Sequence, residues 1–318
     1  MPRACGGIDL GGTKIQAVVV DGDSAVLGQA RHPTPTEGGP SDVAGALAAA
    51  LREAAQAAGM EPSALQGVGI GSPGAIDADA GTVSGARNLP GWGGTYPLAA
   101  TLGELLGTPV SLGNDVQVAT DAEVALGAGC GFRSLLGVFW GTGVGGGIVL
   151  DGKPWLGRGA AGEIGHMVVK RDGRRCPCGR RGCLEAYAGR AALEARAREQ
   201  HAEGRKTDLF KLMEHHGRTR LTSGIWARAL DHGDKLATEL IDEAVAALGA
   251  GIASAVNLLD CEAVVIGGGL GVRFSEPMVA RIAQAMQPHL FVDERPLAVK
   301  LVALGDLGGA IGAALLAR

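Results

Sequence analysis

The sequence predicts an α/β protein of two related domains around a cleft. Three observations lead there. A strand, a glycine-rich turn and a second strand occur in succession near residue 11, and the same unit recurs near residue 144. Strand-like runs of β-branched residues alternate with helical apolar patterns along the rest of the chain. No short-period repeat is visible, which excludes a solenoid.

At 318 residues the chain can form two ordinary domains or one large one. Hydrophobic residues make up 46% but aromatics only 3%, so the core must be built mainly from Ala, Val, Leu and Ile. A net charge of −4 argues against a nucleic-acid footprint. No apolar run reaches the ~18 residues that a membrane helix needs. No charged segment followed by an apolar one opens the chain, so no secretory signal is read and the expected compartment is the cytosol.

Taken in order, Ile8–Leu10, Lys14–Asp21 and Ala25–His32 read as an antiparallel meander. Ser41 can cap an Ala-rich helix over 42–58. Val68–Gly71 is a short buried-type strand followed by a loop through Trp92. A helix over 98–106 leads to the strand Val110–Leu112, and Asn114 and Asp115 open a helix to about Leu126. Leu135–Trp140 and Ile148–Leu150 form the second hairpin. Residues 185–259 are mostly helical. Ala263–Gly267 is a strand, a helix follows from about Ser275, and the tail closes with the strand Val299–Val302 and a helix from about Leu307.

Asp9, Gly11, Gly12, Thr13 and Lys14 lie at the first turn. Glycines there let backbone N–H groups approach phosphate oxygens, Thr13 and Lys14 add donors, and Asp9 can hold hydrated Mg²⁺. Residues 141–147 formally contain G-x-G-x-x-G. The strand after them rules out the dinucleotide reading and leaves Gly141, Thr142 and Gly143 as a phosphate-binding turn. Gly268 and Gly269 end a buried strand, either as a tight strand-to-helix connection or as bare backbone for an adenosine.

Cys176, Cys178 and Cys183 fall within eight residues, which in a cytosolic chain favours a structural metal over a disulfide. Zinc prefers four ligands, and His166, ten residues upstream of Cys176, is the natural fourth, with His215 or His216 the alternative in a helical stretch well removed. Cys5, Cys130 and Cys261 read as small buried hydrophobes. A zinc knot would fix Glu163 and Glu185. With Asn114, Asp115 and the imidazole they make a polar set suited to several hydroxyls, although Asp115 alone also reads as a helix N-cap.

These pieces together resemble the ROK family of bacterial sugar kinases and sugar-responsive repressors. The match runs through DLGGTK at 9–14, GIGSPGAID at 69–77, NLPGW at 88–92 and ND at 114–115. It continues with GTGVGGG at 141–147, EIGH at 163–166, CPCGRRGCLE at 176–185 and GGG at 267–269. The resemblance implies a two-domain actin-like (ribonuclease-H-like) sugar kinase fold, with ATP and sugar meeting in the cleft. On that pattern the N-terminal α/β domain covers 1–112, completed by the C-terminal helix 305–318, and a larger α/β domain at 113–304 carries the zinc loop.

The resemblance makes Asp115 the catalytic base and gives Asn88, Asn114, Asp115, Glu163, His166 and Glu185 contacts to sugar hydroxyls. The two glycine turns would hold the phosphates and 267–271 would flank the adenosine. The expected reaction is ATP-dependent phosphorylation of a hexose, glucose to glucose 6-phosphate, with Mg²⁺ and a structural zinc, in a homo-oligomer (dimer or tetramer). Kinases of N-acetylglucosamine, N-acetylmannosamine, fructose or mannose are the alternatives. A repressor is disfavoured, because the phosphate loop begins at Asp9 and leaves no room upstream for a DNA-binding module. Gln117, Thr120 and Asp121, where the family often has Asn and Ala, and Pro177 depart from the usual pattern.

Overall fold

The computed structural model describes residues 4–86, 89–292 and 294–318. The chain divides into two compact units, one of Met1–Cys130, Pro154–Ala161 and Ala303–Arg318, the other of Gly131–Lys153 and Gly162–Val302.

The first unit begins with β1 (Cys5–Leu10), β2 (Lys14–Val20) and β3 (Val26–Pro33). Then come α1 (Pro40–Ala57), β4 (Val68–Ser72), β5 (Ala75–Asp77), β6 (Thr82–Ser84), β7 (Thr95–Tyr96), α2 (Leu98–Leu106), β8 (Val110–Asn114) and α3 (Asp115–Leu126). Its main sheet has the order β3-β2-β1-β4-β8. β1 runs antiparallel to β2 and parallel to β4, and β4 is parallel to β8.

In α1 the buried residues Val43, Ala44, Leu47, Ala48, Leu51, Ala54 and Ala55 recur at three- and four-residue spacing, so one stripe seals one face of this sheet. Its start is Pro40 rather than the expected residue 42. Gly39 is the N-cap, and the Asp42 carboxylate accepts from the Gly39 N–H at 2.8 Å.

The region expected as a loop through Trp92 contributes β5 and β6 to a small antiparallel sheet, which β7, just beyond Trp92, completes. Its strands are two or three residues long, too short to show a period in sequence.

The second unit holds β9 (Leu135–Trp140) and β10 (Val144–Leu150), with the short β11 (Lys153–Pro154) following. Then come α4 (Glu185–Ala188), α5 (Arg190–Ala202), α6 (Leu209–His215), α7 (Ser223–Asp231), α8 (Lys235–Leu259), β12 (Ala263–Gly267), α9 (Gly268–Met286) and β13 (Ala298–Leu301). The final helix, α10 (Gly308–Leu315), belongs to the first unit. The second sheet has the order β11-β10-β9-β12-β13, with β9 antiparallel to β10 and β12 parallel to both β9 and β13. Each unit thus sets a hairpin beside two parallel strands.

In the second unit the starts of β10 and α9 move furthest from expectation. β10 begins at Val144 rather than Ile148, and its glycines are there for packing: a Cβ on Gly146 would lie 2.6 Å from the Gly162 carbonyl oxygen. α9 begins at Gly268, directly after β12, and is interrupted at Ser275, whose φ is 59°. Gly268 has φ +79° and lies so close to the Trp140 backbone that a Cβ would come within 2.5 Å of it. Among the described residues no helix is long and apolar enough to cross a membrane.

Candidate active site

In the first unit the site residues gather where three parallel strands end. Asp9 of β1 pairs with Gly71 of β4, and Ser72 of β4 pairs with Asn114 of β8, so all lie at the carboxyl edge of the sheet. Asn114 caps α3: its Oδ1 accepts from the N–H groups of Val116 and Gln117, both at 3.1 Å. Asp115 is therefore the first residue of the helix rather than its cap, and its Oδ1 accepts from the Val116 N–H at 2.9 Å. Gly71 lets β4 approach here, since its Cβ would stand 3.3 Å from the Asp115 Cα.

Asp9 and Asp115 feel each other's charge. Burial pushes the Asp9 carboxyl up to about 7, Asp115 and Asp306 push the same way, and Lys14 opposes them. The Asp9 side chain accepts no hydrogen bond among the described residues. A hard carboxylate oxygen without a donor fits Mg²⁺ well. The turn at 11–13 is closed by a bond from the Gly11 N–H to the Lys14 carbonyl at 2.9 Å, and Thr34 Oγ1 donates to the Gly11 carbonyl at 2.6 Å. Lys14 Nζ lies 3.1 Å from Asp306, just ahead of α10.

In the second unit the turn at 141–143 is braced from outside. The N–H groups of Arg190 and Ala191 donate to the carbonyls of Gly141 and Thr142 at 3.1 and 3.0 Å, and Arg190 Nη2 donates to Thr142 Oγ1 at 2.9 Å. Glu185 Oε2 accepts from the Val144 N–H at 3.0 Å. A Cβ on Gly143 would fall 2.1 Å from that oxygen, so glycine is what lets Glu185 lie against the turn. A Cβ on Gly141 would come 3.8 Å from the Gly269 nitrogen, which puts the two glycine segments side by side.

The His166, Cys176, Cys178 and Cys183 ligand atoms lie within 4.8 Å of one another. Cys178 Sγ and Cys183 Sγ are 3.7 Å apart, and Cys176 Sγ is 3.8 Å from His166 Nδ1. A disulfide needs about 2.05 Å. Tetrahedral sulfurs at ~2.3 Å from zinc stand about 3.8 Å apart, so the S₃N set fits zinc. Burial pushes the Cys176 thiol up to about 12, whereas the Arg180 backbone N–H lowers that of Cys178. With Nδ1 facing the thiols, the other ring nitrogen of His166 turns to Glu163, whose Oε2 is 3.7 Å away. Gly165 presses this turn onto β10, because a Cβ there would reach within 2.0 Å of the Val144 carbonyl oxygen.

Within the first unit the structure brings together Asp9, Asn114 and Asp115 beside the turn of Gly11, Gly12, Thr13 and Lys14. Within the second it brings together Gly141, Thr142, Gly143, Glu163, His166, Glu185 and the cysteines, with Gly268 and Gly269 adjacent. Asn88 lies outside the described residues. Sequence reading missed Arg190 and Asp306, which touch these turns, and the buried Glu123, which ties the end of α3 to the segment ahead of α10. The Glu123 carboxylate accepts from the N–H groups of Ala128, Ala303 and Leu304 at 2.8–2.9 Å, two of them about 180 residues away in sequence.

The ROK family model matches residues 5–318. A glucokinase of Thermotoga maritima is 32% identical over 312 residues, 97% of this chain and 95% of that protein. The N-acetylgalactosamine kinase AgaK of a Shewanella species is 33% identical over 98% of this chain and 95% of that one. The crystal structure of a ROK family glucokinase from Streptomyces griseus, in complex with glucose and AMPPNP, is 32% identical and covers 99% of both chains with a TM-score of 0.82. The mixed α/β sheets and helices of the two units are those of the two-domain actin-like kinase fold. The chain belongs to the ROK family and is one of its sugar kinases.

Proposed function

We propose that this kinase transfers the γ-phosphoryl group of ATP to O6 of glucose, with Asp115 as general base. The observation that carries this reading is the place of Asp115, first in α3 at the carboxyl edge of β1, β4 and β8 and within charge reach of Asp9. The Asp115 carboxylate takes the hydroxyl proton as O6 attacks the γ-phosphorus, and the bridging oxygen leaves on ADP. Such a transfer needs positioning and charge neutralisation more than covalent chemistry by the protein.

Gly11, Gly12, Thr13 and Lys14, with Gly141, Thr142 and Gly143, offer N–H, hydroxyl and ammonium donors to the phosphates. Gly268 and Gly269 offer bare backbone to the adenosine. Asp9 would hold Mg²⁺, which neutralises charge on the transferred group. His166, Cys176, Cys178 and Cys183 would hold zinc as a brace, fixing the histidine tautomer. Asn88, Asn114, Glu163, His166 and Glu185 contact the sugar hydroxyls. Asn114 does so through its amide nitrogen, since its oxygen is occupied as a cap. Three clustered thiols suit the reducing cytoplasm, where we place the protein, as a homo-oligomer.

Glucose is supported by the glucokinases among the relatives, and the N-acetylgalactosamine kinase of similar identity supports an N-acetylhexosamine as the second reading. A coupled assay across hexoses and N-acetylhexosamines decides between them. Glucose is expected to give the highest kcat/KM, and a higher value for an N-acetylhexosamine would replace it.

A further inference from the structure

Gln16 lies within β2, 6% exposed, and its Oε1 is enclosed without a hydrogen-bond partner among the described residues. A buried amide oxygen lacking a donor destabilises a fold relative to an apolar side chain of the same shape. Its surroundings indicate what donor is missing. In the β1–β2 register Gln16 stands directly opposite Asp9, so both side chains leave the same face of the sheet with Cβ atoms roughly 5 Å apart. That face is covered by α10: Cys5, Val18 and Val20 pack there with Ala310, Ile311 and Ala314. Gly309 lies against the Asp9 carboxyl, whose Cγ would be 2.8 Å from an added Cβ. Lys14, on the same face, is engaged by Asp306 at 3.1 Å. The equivalent pair of the other hairpin is Phe139 and Gly145, which offers no acceptor.

We infer that Gln16 belongs to the cation site of Asp9, its Oε1 accepting a hydrogen bond from a water carried by the divalent ion. Mg²⁺ keeps several of its waters, and each is a strong donor. A carboxylate and a carboxamide oxygen side by side serve such an ion, and the amide adds no charge to the already crowded pair of Asp9 and Asp115. The inference rests on the reading of Asp9 as the Mg²⁺ residue.

The test is isothermal titration of the full chain with a non-hydrolysable ATP analogue, Mg²⁺-loaded and metal-free, in wild type, Gln16→Leu and Asp9→Asn. Gln16→Leu keeps the volume and removes the acceptor. It is expected to weaken the Mg²⁺-loaded analogue about 10-fold or more. Affinity for the metal-free analogue stays unchanged, and the Tm equals or exceeds that of wild type. Asp9→Asn is expected to lose the metal dependence more fully. If Gln16→Leu changes only the Tm while Asp9→Asn still loses Mg²⁺-dependent affinity, Gln16 is structural and the inference alone falls. If neither substitution alters the metal dependence, the inference falls together with the reading of Asp9. Gln16→Met, unbranched and without an oxygen, takes the place of Gln16→Leu should the latter lower the Tm, and the same outcomes apply.

Discussion

The two glycine hairpins, β1–β2 and β9–β10, have one architecture and opposite chemistry. Each is an antiparallel pair beside two parallel strands. At matched places, however, the first pairs Asp9 with Gln16 and the second pairs Phe139 with Gly145. The first turn has few braces and is surrounded by ionisable groups: Asp9, Lys14, Asp115 and Asp306. The second carries no charge of its own and is clamped by Glu185, Arg190 and the turn bearing His166. The difference teaches that a repeated scaffold can divide its labour, with charge handled in one copy and backbone rigidity in the other.

Removing the brace tests that division most severely. Zinc contributes roughly 10–16 kcal/mol in small zinc-dependent domains, which would be a ceiling for the zinc proposed here because the second unit has a core of its own. Cys178→Ser, or treatment with a strong chelator, is expected to lower the calorimetric transition of the second unit while leaving that of the first in place. A single transition shifted as a whole would deny that only one copy depends on the metal.

Matched glycine substitutions come next. Gly143→Ala drives a methyl group onto the Glu185 carboxylate, whereas at Gly11 the nearest atom to an added Cβ is the Lys14 carbonyl oxygen at 3.1 Å. A displaced positioning group costs about 100-fold in rate. Gly143→Ala is therefore expected to reduce kcat/KM for sugar on that scale, and Gly11→Ala only severalfold. Equal losses would mean that the two turns are held alike.

Asp306→Asn releases Lys14. Asp306 is 72% and Lys14 27% accessible, and ion pairs open to solvent on one side contribute about 0–1 kcal/mol to stability. The Tm should not move, while KM for ATP rises as the ammonium loses its place. An unchanged KM would remove Asp306 from the charged copy of the site.

The smallest expected effect concerns Asp121, pushed up to about 7 by burial against the opposing hydrogen bond from Gln117. A carboxyl raised in the folded state holds its proton there after the unfolded chain has released it, so folding loses stability as pH rises from about 4 to 7. Asp121→Asn should raise the Tm by a few degrees at pH 8, and the gain should vanish below pH 4. A gain independent of pH would show that titration is not its source.

Both hairpins were legible in the sequence because glycines interrupt β-branched runs, and the cluster of His166 with three cysteines was legible because three of its four members fall in one short loop. The start of α9 was not, since glycine is a poor helix former and only packing over the Trp140 backbone explains Gly268 there. The glycines of β10 hid a strand because glycine is also depleted in strands. The opposition of Gln16 to Asp9 depends on strand register, and the Glu123 bonds join residues about 180 apart in the chain, so neither has a local signal. The cap at Asn114 was open to either reading until the hydrogen bonds placed it one residue before Asp115.

The central claim is that Asp115 removes the sugar proton, and Asp115→Asn tests it most directly because shape is kept and basicity is lost. With ATP and glucose, kcat is expected to fall by about 10²–10⁴-fold. The Tm, the zinc content and the KM for ATP should stay close to wild type. A folded, zinc-loaded Asp115→Asn protein that turns over glucose near the wild-type rate would contradict the account.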